Sequence, residues 1–260
     1  MTDEMLFVGR SLFVFDELDS TNDYALSLLN KAPLPPEGTG IVARHQLSGR
    51  GQRGNKWHGE RNQNMALSII LYPTFLEASR QFLLSQSVAL AVCYLVNELL
   101  GQKVCYIKWP NDIFLEKYKL GGILIENTLR GHFLGSSVVG IGLNINQLVF
   151  PPHLSGAVSL RQVSGMEYDI VDLVKKLCHF IEVAYLRLKA DKTADIRQSY
   201  LKNLYRLHEY VRFQRISDGF VFDGLILGVT ERGELIVQMP NDEKGDIVAT
   251  FGLKELQFLG

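Results

Sequence analysis

Cysteine is scarce in this chain, three in 260 residues, and its placement suits neither a metal nor a disulfide framework. Cys93, Cys105 and Cys178 form no C-x-x-C pair and have no histidine at zinc spacing. Each lies in an apolar stretch, the setting of a buried thiol in a reducing compartment. An excess of one charge is missing too. The 27 Lys and Arg stand against 28 Asp and Glu, a net charge of −1. That balance supplies no overall field toward nucleic acid or an anionic membrane. The opening MTDEMLFVGR begins with two acids and lacks the basic region and long apolar run of a signal peptide. The longest apolar segment, Val88 to Leu100, is interrupted by Cys93, Asn97 and Glu98 and reads as too short to span a bilayer. The expected location is cytoplasmic. There is no internal repeat and no low-complexity tract.

What is present is the composition of an ordinary globular protein, 47% hydrophobic and 21% charged. The length accommodates one medium domain and one small one. Ser11–Phe15 reads as a strand, and DSTNDYALSLLN as a capped helix with Tyr24, Ala25, Leu28 and Leu29 on one face. GIVARH and MALSIILY are further strands. Apolar spacing from Ser79 to Leu100 predicts a long amphipathic helix. A strand then leads into WPND, two strands joined by a charged turn at Glu116–Lys119 follow, and HFLGSSVVGIGLNIN is another strand. Helices are expected over Ile170–Leu188 and Ala194–Leu204. After His208 the texture changes to short runs (EYVRF, FVFDGLILGV, ELIVQM, DIVATF) separated by SDG, ERG and NDEKG turns. That spacing predicts a small β-barrel, and the expected domains are residues 1–207 and 208–260.

Gly49 to Gly54, GRGQRG, matches the G-x-G-x-x-G fingerprint of a dinucleotide-binding turn. That fingerprint needs a strand before it, a helix after it and an acid about 20 residues further on. The strand is present in IVARH, but NKWHGERNQN has no helical periodicity, and no acid tips the next strand. A Rossmann reading therefore fails, and without Gly-Lys-Ser/Thr so does a Walker loop. What is left is a flexible cationic loop carrying Arg50, Arg53 and Lys56 between glycines. Glycines admit close backbone approach to a ligand, and guanidinium groups suit phosphate or carboxylate oxygens. A solvated surface loop would have the same composition.

Three other segments carry chemistry-bearing residues at strand ends. IKWPND is either a capped turn or a polar corner facing a ligand. KLGGIL sets Lys119 before two glycines, which reads as a bulge with a snorkelling lysine or as a cation brought against a ligand. GIGLNIN ends a strand in glycines and asparagines, whose amides suit a turn or a base edge.

In this order DSTN, Q-x-S-GRG-x-RG-x-KW, KWPND, K-L-GGIL-x-E and G-x-G-x-N-x-N resemble the biotin–protein ligases. The motifs cover roughly residues 12–150, and the C-terminal part fits by texture. The resemblance implies an α+β fold, a class II aminoacyl-tRNA-synthetase-like (biotin–lipoate ligase) catalytic domain with a mixed sheet and packed helices, followed by an SH3-like barrel. It implies formation of biotinyl-5′-AMP from biotin and ATP with Mg²⁺, then transfer of biotin to a lysine of a biotin carboxyl carrier protein. It places Ser20, Thr21, Asn22, Gln46, Gly49, Arg50, Gly51, Gln52, Lys119 and Gly122 at biotin. Arg50, Arg53, Lys56, Trp57, Asn111, Asp112 and Asn144 fall to ATP and the adenylate, with Asn111 and Asp112 also on the metal side. Trp57 packs on the adenine in that reading, or else is a core residue at the loop's end. Lys119 and Arg50 are the catalytic candidates, offsetting charge as a carboxylate meets a triphosphate. Many members have GRGR where this chain has Gln52 in the fourth place, so a guanidinium that ties down the adenylate is missing.

The family's optional DNA-binding domain is not found ahead of Asp19, so no DNA partner is expected. Nor is a membrane partner, and a homodimer is the state the resemblance suggests. The competing readings are a lipoate or octanoate ligase or transferase, whose Arg-Arg and Gly-Gly-Gly segment is not found, and a regulator that binds biotinyl-AMP without catalysis.

Overall fold

The computed structural model describes residues 5–240 and 245–259, with Arg53 described by its backbone only. A seven-stranded mixed sheet is built from β1 (Leu12–Phe15), β2 (Gly40–Ala43), β3 (Asn64–Leu71), β4 (Cys105–Lys108), β5 (Asp112–Leu115), β6 (Tyr118–Arg130) and β7 (Phe133–Asn144). Its order is β1-β2-β3-β7-β6-β5-β4. Only β1 and β2 pair parallel, and every other pair is antiparallel. β3 is buried along its whole length, as a central strand covered on both faces must be.

Alternation along the central strands splits the interior in two. Met65, Leu67, Ile69 and Leu71 of β3 join Val139, Ile141 and Leu143 of β7 in the large core. That face is covered by α2 (Phe82–Leu100) and α4 (Ile170–Lys189). The opposite face carries α1 (Thr21–Leu29), whose Ala25 packs with Ile41, Ile70 and Val138. The short α3 (Leu160–Ser164) and α5 (Thr193–Lys202) complete the helices.

Two expectations need correction. The apolar stretch around α2 extends back to Ala78, and Ala78–Leu100 is long and apolar enough by composition to cross a membrane, with 67% of its apolar window buried within the fold. Its apolar side chains are spent on the core. The charged turn is tighter than predicted: Leu115 pairs with Tyr118, so only Glu116 and Lys117 turn and Lys119 belongs to β6. The cysteines are buried, but Cys93 and Cys105 are neighbours across α2 and β4, their sulfurs 3.1 Å apart. Burial pushes the Cys178 thiol up to about 12.

The predicted C-terminal strands appear as β8 (Tyr210–Arg215), β9 (Val221–Val229), β10 (Leu235–Met239) and β11 (Ile247–Phe251). Of the NDEKG turn, residues 241–244 lie outside the described residues. A fifth strand, β12 (Leu256–Phe258), was not legible as one and pairs with β8. The antiparallel order is β11-β10-β9-β8-β12. Val211, Phe213, Phe222 and Phe251 of this sheet belong to the same apolar cluster as the large core. Trp109 locks the junction, donating its indole N–H to Gly233 O at 2.8 Å.

Candidate active site

The face of the sheet that carries α1 holds small residues in register. Gly122, Gly142 and Ala66 form one cross-strand row, and Leu124, Gly140 and Ser68 the next. A cavity of about 330 Å³ stands over this floor, lined by Gly122, Leu124, Gly140, Gly142 and Ala66 among others. The glycines are needed for space. A Cβ on Gly140 would lie 2.2 Å from Asn22 Oδ1, and one on Gly142 would lie 2.7 Å from the Trp57 ring.

One end of the cavity is the start of α1. Ser20 is the N-cap, and its hydroxyl accepts from Asp23 N. Thr21 donates both its N–H, at 2.8 Å, and its hydroxyl, at 3.1 Å, to Gln46 Oε1. The helix-start N–H and hydroxyl of Thr21 are thus both held by Gln46. Ser68 Oγ lies 2.8 Å from Thr21 Oγ1 and 2.6 Å from Asn22 Oδ1. Asn22 donates from Nδ2 to Glu126 Oε2 at 2.9 Å and to Leu124 O at 3.3 Å. Ser20, Thr21 and Asn22 are all buried, so these bonds fix the side chains facing the cavity.

The glycine-rich loop folds over the cavity as a small hairpin. Trp57 N–H donates to Gly49 O, Gly51 N–H donates to Asn55 O, and Gln52–Gly54 is a single 3₁₀ turn. No α-helix follows, as the sequence indicates. Gly49 is buried, and a Cβ there would lie 2.6 Å from Trp57 O. Arg50 bridges two carboxylates, Asp23 on α1 and Glu126 on β6, the latter at 2.7 Å. The hydrogen bond to Glu126, and then that to Asp23, raises the guanidinium above its ordinary pKa against the opposing effect of burial.

The other end is the WPND corner. Asn111 donates to Ile123 O and accepts from Ile123 N–H through its own carbonyl, binding the corner to β6. Asp112 Oδ1 lies 2.6 Å from Lys119 Nζ. Lys108, one strand away, has its ammonium 4.9 Å from the Phe114 ring and 4.8 Å from the Phe258 ring. Burial pushes its pKa down, against the pull of Asp112. A second cavity of about 180 Å³ adjoins the first across Gln52, Pro110, Asn111 and Ile123.

The structure therefore gathers Ser20, Thr21, Asn22, Gln46, Arg50, Gly51, Gln52, Lys56, Trp57, Asn111, Asp112, Lys119 and Gly122 around one cavity. Gly49 supports the loop from below, and the Arg53 side chain lies outside the described residues. Asn144 is not among the residues lining this cavity. It is buried and donates to Val158 O, so its amide anchors the 156–158 segment that pairs with Lys119. Sequence reasoning missed Asp23 and Glu126, the partners of Arg50, and Lys108 with the β12 residues Leu256 and Phe258, which line the cavity. The lysine preceding WPND was a usable signal for Lys108. Glu126 was marked as the last residue of K-L-GGIL-x-E, whereas nothing in the sequence marked Asp23, Leu256 or Phe258.

Of the cations lining the cavity, Arg50 is paired with the Asp23 and Glu126 carboxylates and Lys119 with that of Asp112. An anionic ligand arriving there replaces one set of negative charges with another, and the neutral amide and hydroxyl end suits a polar, uncharged group.

Comparison with known proteins agrees with this geometry. The Biotin/lipoate A/B protein ligase family model matches residues 14–144. The bifunctional ligase/repressor BirA of Bacillus subtilis is 30% identical over 235 residues, covering 89% of this chain and 70% of that protein. The biotin–[acetyl-CoA-carboxylase] ligase of Paracoccus denitrificans is 30% identical over 229 residues, covering 85% and 92%. In fold, the biotin protein ligase from Aquifex aeolicus in complex with biotin and ATP superposes with a TM-score of 0.77 at 24% identity, over 96% of this chain and 99% of that one. With the family model spanning half the chain and the motifs converging on one cavity, this chain belongs to the biotin/lipoate A/B protein ligase family, on its biotin–protein ligase side.

Proposed function

We propose that this chain activates biotin with ATP to biotinyl-5′-AMP and transfers the biotinyl group to a lysine of a biotin carboxyl carrier protein. The observation that carries the reading is the shared cavity. Its amide and hydroxyl end is formed by Thr21, Asn22 and Gln46, and its cationic side by Arg50 and Lys119. Biotin has the matching halves, a neutral ureido ring and a carboxylate. Relatives in sequence carry the names of biotin ligases, and a structural neighbour was solved with biotin and ATP.

In the first step a carboxylate oxygen of biotin attacks the α-phosphorus of ATP. The bond to the bridging oxygen breaks, and pyrophosphate leaves. Lys119 offsets the charge where the two anions meet, and Arg50 holds the loop across them. In the second step the lysine amine of the carrier attacks the acyl carbon. The acyl–oxygen bond breaks, AMP leaves, and the amine loses its proton, for which the Asp112 carboxylate is the nearby acceptor. Closure of the hairpin over the acyl phosphate shields it from water.

For Mg²⁺, the site offers Asp112 and the Asn111 carbonyl oxygen. Among the described residues no three His, Cys, Asp or Glu groups gather to hold a metal. One carboxylate together with substrate phosphates is a usual Mg²⁺ environment, so the residues fit a metal that arrives with ATP. When bound, it would supply neutralisation of phosphate charge.

The test is pyrophosphate release from ATP with biotin, lipoate or octanoate offered separately. Biotin-dependent release that falls by about 10²- to 10³-fold in Lys119→Ala is expected. Release with lipoate alone would overturn the assignment.

A further inference from the structure

Glu126 closes the K-L-GGIL-x-E motif without an assigned contact to biotin or the nucleotide, yet both ends of the site meet on it. It follows Gly122 and Leu124 on the cavity face of β6, beyond the glycine floor. Oε2 accepts from Asn22 Nδ2 at 2.9 Å, and Oε1 accepts from Arg50 Nη2 at 2.7 Å. Asn22 belongs to the neutral wall and is fixed from its other side by Ser68 Oγ at 2.6 Å. Arg50 belongs to the loop that closes the cavity, and its second nitrogen is taken by Asp23. The chain of contacts runs Ser68, Asn22, Glu126, Arg50, Asp23. No bond between Asn22 and Arg50 themselves is present, so the carboxylate is their direct link.

From this geometry we infer that Glu126 is a positioning residue that couples occupancy of the biotin end to closure of the glycine-rich loop. The inference rests on the proposed function. A ligand that engages the Asn22 amide alters the donor on Oε2, and an anion that engages Arg50 removes the donor on Oε1. Either event changes the charge left for the other partner, because one carboxylate serves both. The coupling is reciprocal: whatever factor loop closure adds to biotin affinity, biotin adds to loop closure. Glutamine in this place would have one acceptor and one donor. It could serve Asn22 or Arg50 but would set an N–H against the other's N–H.

The experiment measures biotin affinity by calorimetry, without ATP, for Asn22→Ala, Arg50→Ala and the double variant, in the natural background and in Glu126→Gln. With Glu126 present, the two substitutions should be non-additive by about threefold or more. In Glu126→Gln they should become additive within about 1.5-fold. Amide exchange of residues 49–57 should also accelerate at least threefold in ligand-free Glu126→Gln, with its thermal midpoint close to that of the natural chain. A purely structural role would lower the midpoint without abolishing non-additivity. Equal non-additivity in both backgrounds, or additivity in both while the natural chain binds biotin, would overturn the role of Glu126 and leave the function standing. A natural chain that binds no biotin would overturn the functional reading and this inference with it. Asp23→Asn serves as a second variant. It relieves Arg50 alone, so it should speed loop exchange while leaving the Asn22–Arg50 coupling in place; loss of that coupling would count against Glu126 as the link.

Discussion

Replacing Gly140 by alanine should damage both stability and biotin binding through a single contact. The added Cβ would lie 2.2 Å from Asn22 Oδ1, 2.9 Å from its Cγ and 3.0 Å from its Nδ2. Gly140 sits in β7 and does not use the left-handed backbone region, so the damage is steric and not conformational. Asn22 has little room to yield: it is buried and bonded to Ser68, Glu126 and Leu124. Moving the amide breaks one charge-assisted hydrogen bond worth about 2 kcal/mol and at least one neutral one worth about 1 kcal/mol. The expected loss is about 3 kcal/mol, which lowers the melting temperature of a chain of this size by about 6–12 °C. Thermal and urea unfolding measure the first effect, and the KM for biotin in pyrophosphate release measures the second. Gly156→Ala is the control, because a Cβ there meets nothing within 4 Å. It should be neutral or stabilising by up to about 1 kcal/mol. A Gly140→Ala variant within about 0.5 kcal/mol of the natural chain, with unchanged KM, would refute the account of the floor.

The remaining predictions use other parts of the site. Gln52→Arg returns a guanidinium to the loop and should slow biotinyl-AMP dissociation by about tenfold, the worth of one exposed charge-assisted contact; unchanged dissociation in rapid-quench measurements would count against it. Trp109→Phe removes the indole bond to Gly233 O and leaves a carbonyl unpaired at the junction of the sheets, costing about 2 kcal/mol in urea unfolding; a loss under about 0.5 kcal/mol would contradict that accounting. Burial lowers the Lys108 pKa below its ordinary 10.5, so between that lowered value and 10.5 the unfolded chain binds more protons than the folded one. Stability contributed at this residue therefore rises with pH across that window. Lys108→Met should flatten the rise and raise the urea midpoint at neutral pH; an unaltered pH profile would argue against desolvation as the cause.

The sequence was most informative where backbone geometry and chemistry coincide. Gly122, Gly140 and Gly142 stood out because strand interiors seldom spare three glycines, and in space they form the cavity floor. The loop was legible as a loop because NKWHGERNQN has no apolar period that would build a helix. What failed to show were pairings between distant residues. Asp23 reads as a first-turn acid of α1 and Glu126 as the end of the K-L-GGIL-x-E motif, and only folding brings both to Arg50. β12 is three residues long, too short for a period, so its contribution of Leu256 and Phe258 had no signature. Asn144 shows the same limit: its motif is clear, but the bond from its amide to a backbone carbonyl fourteen residues away has no signature in the sequence.

That last strand bears on how the molecule is made. Phe258 lies 238 positions beyond Ser20, and the two share one cavity. During synthesis the glycine floor, the loop and Lys119 emerge long before β12 does. The Lys108 ammonium meanwhile lacks one of the two aromatic rings that flank it. A ribosome-bound chain halted before Leu256 would carry most of the site with one wall open to water. Pairing of β12 with β8 is then the late step that adds Leu256 and Phe258 to a cavity whose other walls have already emerged.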